Sequence, residues 1–401
     1  MSYLNDPQAL AKYWRGFDHV TWYCGNAKQS AVFHIARMGF RPIARKQMQV
    51  GKNRTLTHEV IRNGNVTFEF VSPVRSSQKM SDASLENGVP VEEMVKLKEV
   101  LQFVEKHGDG VKDISWDVPN ATDAWIAVTQ NGAHTVMKPV SQSDEHGKVV
   151  MATVATFGDV THTFVQRDEY KGTFLPGYQS IEQDDPLNQV LNPVEFAAID
   201  HTVANQNWGE MDKVCDYYQN VFGFHQFISD DDYNVVTQYS ALKSTVMASG
   251  NNVIKMPINE PAKGIRKSQI EEYLAYNNGP GIQHIALLTK DIMSCVTEMR
   301  RRGVKFIDVP DTYYEDLEQR MRDSKVTIKE DLQMIKKLNI LVDFNAEGYL
   351  LQLFVKDHAS NRPTVFYEII QREGAQGFGG GNFRSLFEAI EREQAKRGNL
   401  L

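Results

Sequence analysis

The sequence predicts an α+β fold of two similar halves, each built from paired β-α-β-β-β modules that curl into an open sheet around a cavity, with a helix added at the C-terminus. Three internal repeats carry that expectation. The first sets Gly16-Phe17-Asp18-His19-Val20, followed by a helix closed by Gly39 and Phe40, beside Ile199 to Val203, followed by a helix closed by Gly223 and Phe224. The second sets DGVKDISWDV (Asp109 to Val118) beside PGIQHIALLT. Asp113 and His284 each stand 19 residues before the glycine, Gly132 or Gly303, that ends the next helix. The third sets DVTHTFVQR (Asp159 to Arg167) beside TVFYEIIQR, so that Thr163 lies where Glu368 lies. Internal repetition of this kind fixes an architecture before any single motif does.

Each element follows from local patterning. The first helix runs from Ala27 to Met38 with Ala27, Ala31, Ile35 and Met38 along one face and a glycine just past its end. Its counterpart puts Met211, Val214, Cys215, Tyr218, Val221 and Phe222 on one face. Alternating runs such as NVTFEFV (Asn65 to Val71) and YLLQLFV (Tyr349 to Val355) read as strands. The polar, turn-rich stretch from Gly177 to Pro193 reads as the connection. The domains expected are a non-catalytic first half, residues 1–180, a linker, 181–193, and a catalytic second half, 194–401. At the C-terminus a glycine-rich hinge, Gly374 to Gly381, precedes a helix with Asn382 as its N-cap and Phe383, Leu386, Phe387 and Ile390 on one face. Such a helix suits a lid that keeps water from a reactive site.

Composition removes several function classes. A chain of 401 residues with 41% hydrophobic and 24% charged residues is ordinary for a globular protein. A net charge of −7 lacks the basic excess of a nucleic-acid binder. The three cysteines, Cys24, Cys215 and Cys295, lack the spacing of a disulfide framework or zinc knuckle. Without a signal-like apolar start or an 18-residue apolar run, the expected compartment is the cytosol. The Asn-x-Thr triplets at Asn53, Asn65 and Asn120 are therefore read as chance.

The residue hardest to place as mere structure is Glu368, a carboxylate inside the apolar run Val365, Phe366, Tyr367, Ile369 and Ile370. Burying it unpaired costs several kcal/mol, so it needs a cation or a hydrogen-bond network. His201 and His284 lie in similar strand-like surroundings, at intervals of 83 and 84 residues. Two histidines and a carboxylate form the facial triad that binds non-haem Fe(II) with positions left open. The equivalent first-half residues are His19, Asp113 and Thr163, so one half alone has the complete set. The other eight histidines, including His34, His162 and His358, have no such register and are read as structural.

In order along the chain, GFDHV, FEFVSP, HGDGVKD, DHTVANQ, KMPINEPA, KSQIEEY, GIQHIAL, DTYY, GYLLQLF, RPTVFYEIIQR and GFGGGNF together resemble the 4-hydroxyphenylpyruvate dioxygenase family, of the vicinal-oxygen-chelate superfamily. The resemblance covers nearly the whole chain; Gly380 departs from it, standing where many members carry lysine. It implies Fe(II) held by His201, His284 and Glu368, catalytic polar groups at Gln283, Gln352, Asn259, Ser244 and Gln269, and a substrate-binding surface of Phe354, Phe378, Phe383, Phe387 and Pro257. It further implies a homodimer or homotetramer acting on 4-hydroxyphenylpyruvate and O2, with no nucleic-acid or membrane partner. That substrate carries its own 2-oxo acid, so no separate 2-oxoglutarate is required. Rival readings are a 4-hydroxymandelate synthase acting on the same substrate, a non-catalytic small-molecule binder and a glyoxalase-like isomerase.

Gln352 and Phe354 stand two apart on YLLQLFV and so share a strand face. Gln283 adjoins His284 and reaches the same side only through a twist or bulge. Ser244, Asn259 and Gln269 lie in polar, turn-rich surroundings that read locally as solvated loop.

Overall fold

The computed structural model describes residues 7–48, 55–75, 90–227, 233–236, 241–324, 326–356 and 359–399. Asn53 and His358 fall outside these residues, and so do the side chains of Phe383 and Leu386.

The first half contributes β1 (Gly16–Tyr23), β2 (Arg41–Lys46), β3 (Leu56–Asn63), β4 (Val66–Pro73), β5 (Gly110–Asp117), β6 (Thr135–Asp144), β7 (Gly147–Ala155), β8 (Thr161–Gln166) and the short β9 (Gln179–Ser180). The second contributes β10 (Ala198–Asn205), β11 (Phe224–Gln226), β12 (Tyr233–Val236), β13 (Ala241–Ser249), β14 (Lys255–Ala262), β15 (Gly281–Leu288), β16 (Leu341–Phe344), β17 (Tyr349–Phe354) and β18 (Phe366–Glu373). They form two sheets, ordered β6-β7-β8-β5-β1-β4-β3-β2-β9 and β11-β13-β14-β10-β15-β18-β17-β16, with β12 paired to β13. Each module brings its first strand back beside its last in parallel: β1 with β4, β5 with β8, β10 with β14 and β15 with β18. The modules of each half join antiparallel through β1–β5 and β10–β15. The predicted β-α-β-β-β pairs and curled mixed sheets are what the chain forms.

The helix Ala27–Met38 starts where Asn26 accepts from the Gln29 amide at 3.2 Å. It ends at Gly39, whose φ of +67° favours a residue without a side chain. Two expectations fail. Asn382 is no N-cap: the helix Gly380–Lys396 begins at Gly379, and Asn382, inside its first turn, accepts from the Tyr313 hydroxyl at 2.6 Å. Nor are Ser244 and Asn259 in loops; they face each other across β13 and β14. β14 tolerates Pro257 and Pro261 in a central strand because its ladder to β10 engages only Ile258 and Asn259, so neither proline has to donate there.

The largest hydrophobic cluster among the described residues runs through both halves, with three smaller ones beside it. Trp14 donates to the Phe222 carbonyl at 3.1 Å and stands edge-on to Trp116, with centroids 5.1 Å apart. Two reciprocal bonds cross the same interface. Tyr367 donates to His34 Nε2 at 2.6 Å, while His34 Nδ1 donates to the Ser30 carbonyl. In mirror fashion, Tyr218 donates to His162 Nε2 at 2.7 Å, and His162 Nδ1 donates to the Ile114 carbonyl. Burial pushes the His34 imidazole down to about 4 and that of His162 to about 3, from an ordinary 6.5. Unfolded chain therefore takes up protons that the folded chain refuses. Stability should fall as pH drops below 6.5 and keep falling toward about 3. Tyr367→Phe, which strands a buried ring nitrogen, should cost about 1–3 kcal/mol in denaturant unfolding at neutral pH. A cost near zero would show that the bond contributes nothing.

Candidate metal centre

His201 and His284 lie on adjacent strands, and Glu368 lies on β18, beside β15. The local β10–β15 register explains how their neighbours reach them. Ile199 pairs with Leu287 and His201 with Ala286, so Asp200 is one residue too many; Val203 pairs with His284 and Ala204 with Ile282, so Gln283 is another. Each is a β-bulge, which re-aims a side chain that strict alternation would send to the other face. The bulge that Gln283 needed is therefore present. Asp200 accepts from His201 Nδ1 at 2.7 Å and Gln283 Oε1 from His284 Nδ1 at 2.9 Å. With both Nδ1 atoms donating, each ring can present an Nε2 lone pair inward to a cation once its Nε2 proton is released.

Those two Nε2 atoms each lie 3.3 Å from Glu368 Oε2. One ligand atom from each residue falls within 4.8 Å of the others, and all three residues are buried. Ligands about 2.1 Å from one ion and at right angles stand about 3 Å apart, which this set approaches. Glu368 Oε1 has no hydrogen-bond partner although buried. The donor set fits a divalent cation, which would give the buried carboxylate the counter-charge that its apolar strand lacks.

The electrostatics of the two rings differ. Burial pushes His201 down, but the bonds to Asp200 and Glu368 prevail and hold it above its ordinary value. His284, backed only by a neutral amide, is held below it by burial. Burial raises Glu368, yet the two imidazoles hold it lower than usual. Behind His201, Arg372 grips Asp200 through Nε and Nη2, both at 2.8 Å. Arg372 also donates to the Ala375 and Gly377 carbonyls and lies over the Phe378 ring. Phe378 meets His201 edge-on at 5.1 Å.

The first half repeats this frame around a different set of side chains. Its β1–β5 ladder bulges at Asp18 and Lys112. Arg167 grips Asp18 at 2.7 and 2.6 Å, Asp18 accepts from His19, and Phe174 meets His19 edge-on at 4.9 Å. The triad equivalents, however, are spent on each other. Asp113 accepts from Ser115, Thr161 and Thr163 at 2.7, 2.6 and 2.8 Å, and Ser115 Oγ lies 3.2 Å from His19 Nε2. Thr21, His58 and Tyr178 likewise engage Glu69.

The second-half triad opens on a cavity of about 510 Å³, counting space at its mouth. Ser244, Pro257, Asn259, Gln269, Gln283, Phe354, Phe378 and Phe387 line it. Gln352 does not: it is fully buried with neither amide atom paired, against Gly379, where a Cβ would come within 1.8 Å of its oxygen. Val203, Leu242, Phe366 and Ile390 line the cavity as well, none of them expected from the sequence as a site residue. Phe366 stacks on His284 at 5.0 Å. Val203, Leu242 and Phe366 each stand two residues from a site residue on one strand, so period-two alternation was the available signal. An adjoining cavity shares Gln269, Gln283, Phe354, Phe366 and Ile390. Over it, Arg397 ties the C-terminal helix to Glu272 at 2.6 Å and Glu393 ties it to Lys356 at 3.0 Å.

Residues 198–325 match the family described as the Glyoxalase/Bleomycin resistance protein/Dioxygenase superfamily. The chain is 53% identical over 394 residues to a 4-hydroxyphenylpyruvate dioxygenase from Aspergillus fumigatus, an alignment covering 98% of this chain and 96% of that protein. It is 44% identical to one from Dictyostelium discoideum, over 96% of this chain and all of the other. Among solved structures, a mutant 4-hydroxymandelate synthase from Streptomyces coelicolor superposes with a TM-score of 0.77 at 25% identity, covering 95% of this chain and 99% of that one.

Proposed function

The chain belongs to the 4-hydroxyphenylpyruvate dioxygenase family, and from that premise we propose that it is an Fe(II)-dependent enzyme converting 4-hydroxyphenylpyruvate and O2 to homogentisate and CO2. The carrying observation is the convergence of two Nε2 lone pairs and one carboxylate at the head of a cavity walled by aromatic rings. His201, His284 and Glu368 would hold the ion on one side and leave the cavity side open. When bound, ferrous iron would supply a Lewis acid for the 2-oxo acid and a redox-active centre through which the substrate's own electrons reach O2.

The protein's part is placement and exclusion of water. Phe354 and Phe366 flank the triad and offer faces to an aromatic ring. Ser244, Asn259 and Gln269 offer polar groups along the wall. Phe378, Phe387 and Ile390, carried by the hinge and the C-terminal helix, close the cavity, with Arg397–Glu272 as the latch. Gln283 fixes the His284 tautomer and reaches the cavity from the bulge. Residues 194–401 then form the catalytic half and 1–180 a scaffold, a division supported by the self-satisfied network around Asp113. Among the described residues no helix is long and apolar enough to cross a membrane.

Product analysis tests the reading against the nearest rival. Incubation with 4-hydroxyphenylpyruvate in air should yield homogentisate, whereas 4-hydroxymandelate would transfer the chain to benzylic hydroxylation. Metal retention gives a second test, because each imidazole must release its Nε2 proton to bind a cation. Bound iron after desalting should decline as pH is lowered from about 7 to about 4.5, with His201, the ring that holds its proton more firmly, setting the onset. Full retention across that range would argue against imidazole ligation.

A further inference from the structure

Behind one of the polar cavity residues stands a second amide that packing alone does not explain. Asn205 is the cross-strand neighbour of Asn259 in the β10–β14 ladder and is 0% exposed. Its Oδ1 accepts from Asn259 Nδ2 at 3.3 Å, and its own Nδ2 has no partner. A buried unpaired amide donor is destabilising, so an apolar side chain of this shape would fit the fold better. What Asn205 does provide is control over Asn259. An amide carries its donors and its acceptor on opposite sides. With the NH2 of Asn259 engaged from behind, its carbonyl oxygen is the group left for the cavity that Asn259 lines.

Position along β10 says which part of a ligand meets that oxygen. His201, Val203 and Asn205 share one strand face, and Val203 lines the cavity between the other two. Four residues of strand span about 13 Å. A ligand gripped at the triad by its 2-oxo acid therefore extends its ring toward the Asn205–Asn259 pair. We propose that Asn205 is a positioning residue that holds the Asn259 carbonyl toward the cavity as an acceptor for a ring hydroxyl, so that the pair selects a 4-hydroxylated over an unsubstituted arylpyruvate. This deepens the functional reading above and rests on it.

The test compares 4-hydroxyphenylpyruvate with phenylpyruvate, by kcat/KM and by Kd measured without oxygen. A site built to bond a hydroxyl discriminates strongly against the analogue lacking it. Asn205→Leu should reduce the preference for the hydroxylated substrate at least about tenfold, with most of the loss in KM and Kd. In an Asn259→Leu background the same change should add nothing to that ratio, because Asn205 acts through Asn259. Asn205→Ser, too short to reach Asn259, carries the same expectation should the leucine variant not fold. An unchanged ratio, an equal loss on both substrates, or full additivity with Asn259→Leu would overturn the assignment. Should the unmodified protein consume neither arylpyruvate, the functional reading itself fails and takes this assignment with it; consumption with an unaltered ratio defeats the assignment alone.

Discussion

Glu368→Ala should yield a folded chain that retains no ferrous ion and shows no substrate-dependent oxygen uptake. Glu368 is the triad's one anion, and its Oε2 sits 3.3 Å from both imidazole Nε2 atoms. Without it two neutral rings remain, giving a cation neither the charge nor the third corner of the coordination face. Loss of a supporting partner behind a metal ligand already costs about 10–100-fold in affinity or activity, so loss of the ligand should exceed that range. Folding should survive, because the substitution removes a buried charge from an otherwise apolar strand. Measured iron per chain and oxygen uptake should fall together. Near-normal iron content with full turnover would place the ion elsewhere.

Arg372→Met should have the next largest effect and should act on two properties at once. Arg372 neutralises Asp200, a nearly buried carboxylate held well below its ordinary range despite the upward push of burial. Removing one partner of a buried pair leaves the other charge uncompensated, typically a loss of about 3–5 kcal/mol. Asp200 in turn orients His201, and Arg372 ties down the hinge carbonyls of Ala375 and Gly377, so iron retention should weaken as well. The first half supplies a control. Arg167→Met breaks the equivalent pair with Asp18, a carboxyl held down to about 2, and should lose comparable stability with iron retention intact. Denaturant unfolding paired with metal analysis separates the two variants. Equal iron loss in both would mean that general softening of the fold, not the Asp200–His201 contact, controls the site.

The triad was legible in the sequence because the repeat acts as an internal alignment. His19, Asp113 and Thr163 show where each module aims a residue, and His201, His284 and Glu368 show which half turned that aim to metal binding. The bulges were not legible in the same way, since Asp200 and Gln283 carry no sign of being extra residues until the register of two strands distant in sequence is known. The capping expectation at Asn382 failed for a similar reason. Local chemistry favours asparagine at a helix start, but the hydroxyl of Tyr313, 69 residues away, claims its side chain. Ser244 and Asn259 looked like loop residues because polar and proline-rich segments usually are; pairing of β13 with β14 overrode that propensity. The Asn205–Asn259 contact, between residues 54 apart, had no local signal.

One ferrous ion held by two imidazoles and a carboxylate is the centre of the proposed activity, and titration of metal-free chain with Fe(II) tests it most directly. Oxygen uptake driven by 4-hydroxyphenylpyruvate should rise linearly and stop at one iron per chain, with CO2 and homogentisate appearing in equal amounts. Uptake that needs no iron, or that continues to climb well past one equivalent, would contradict it.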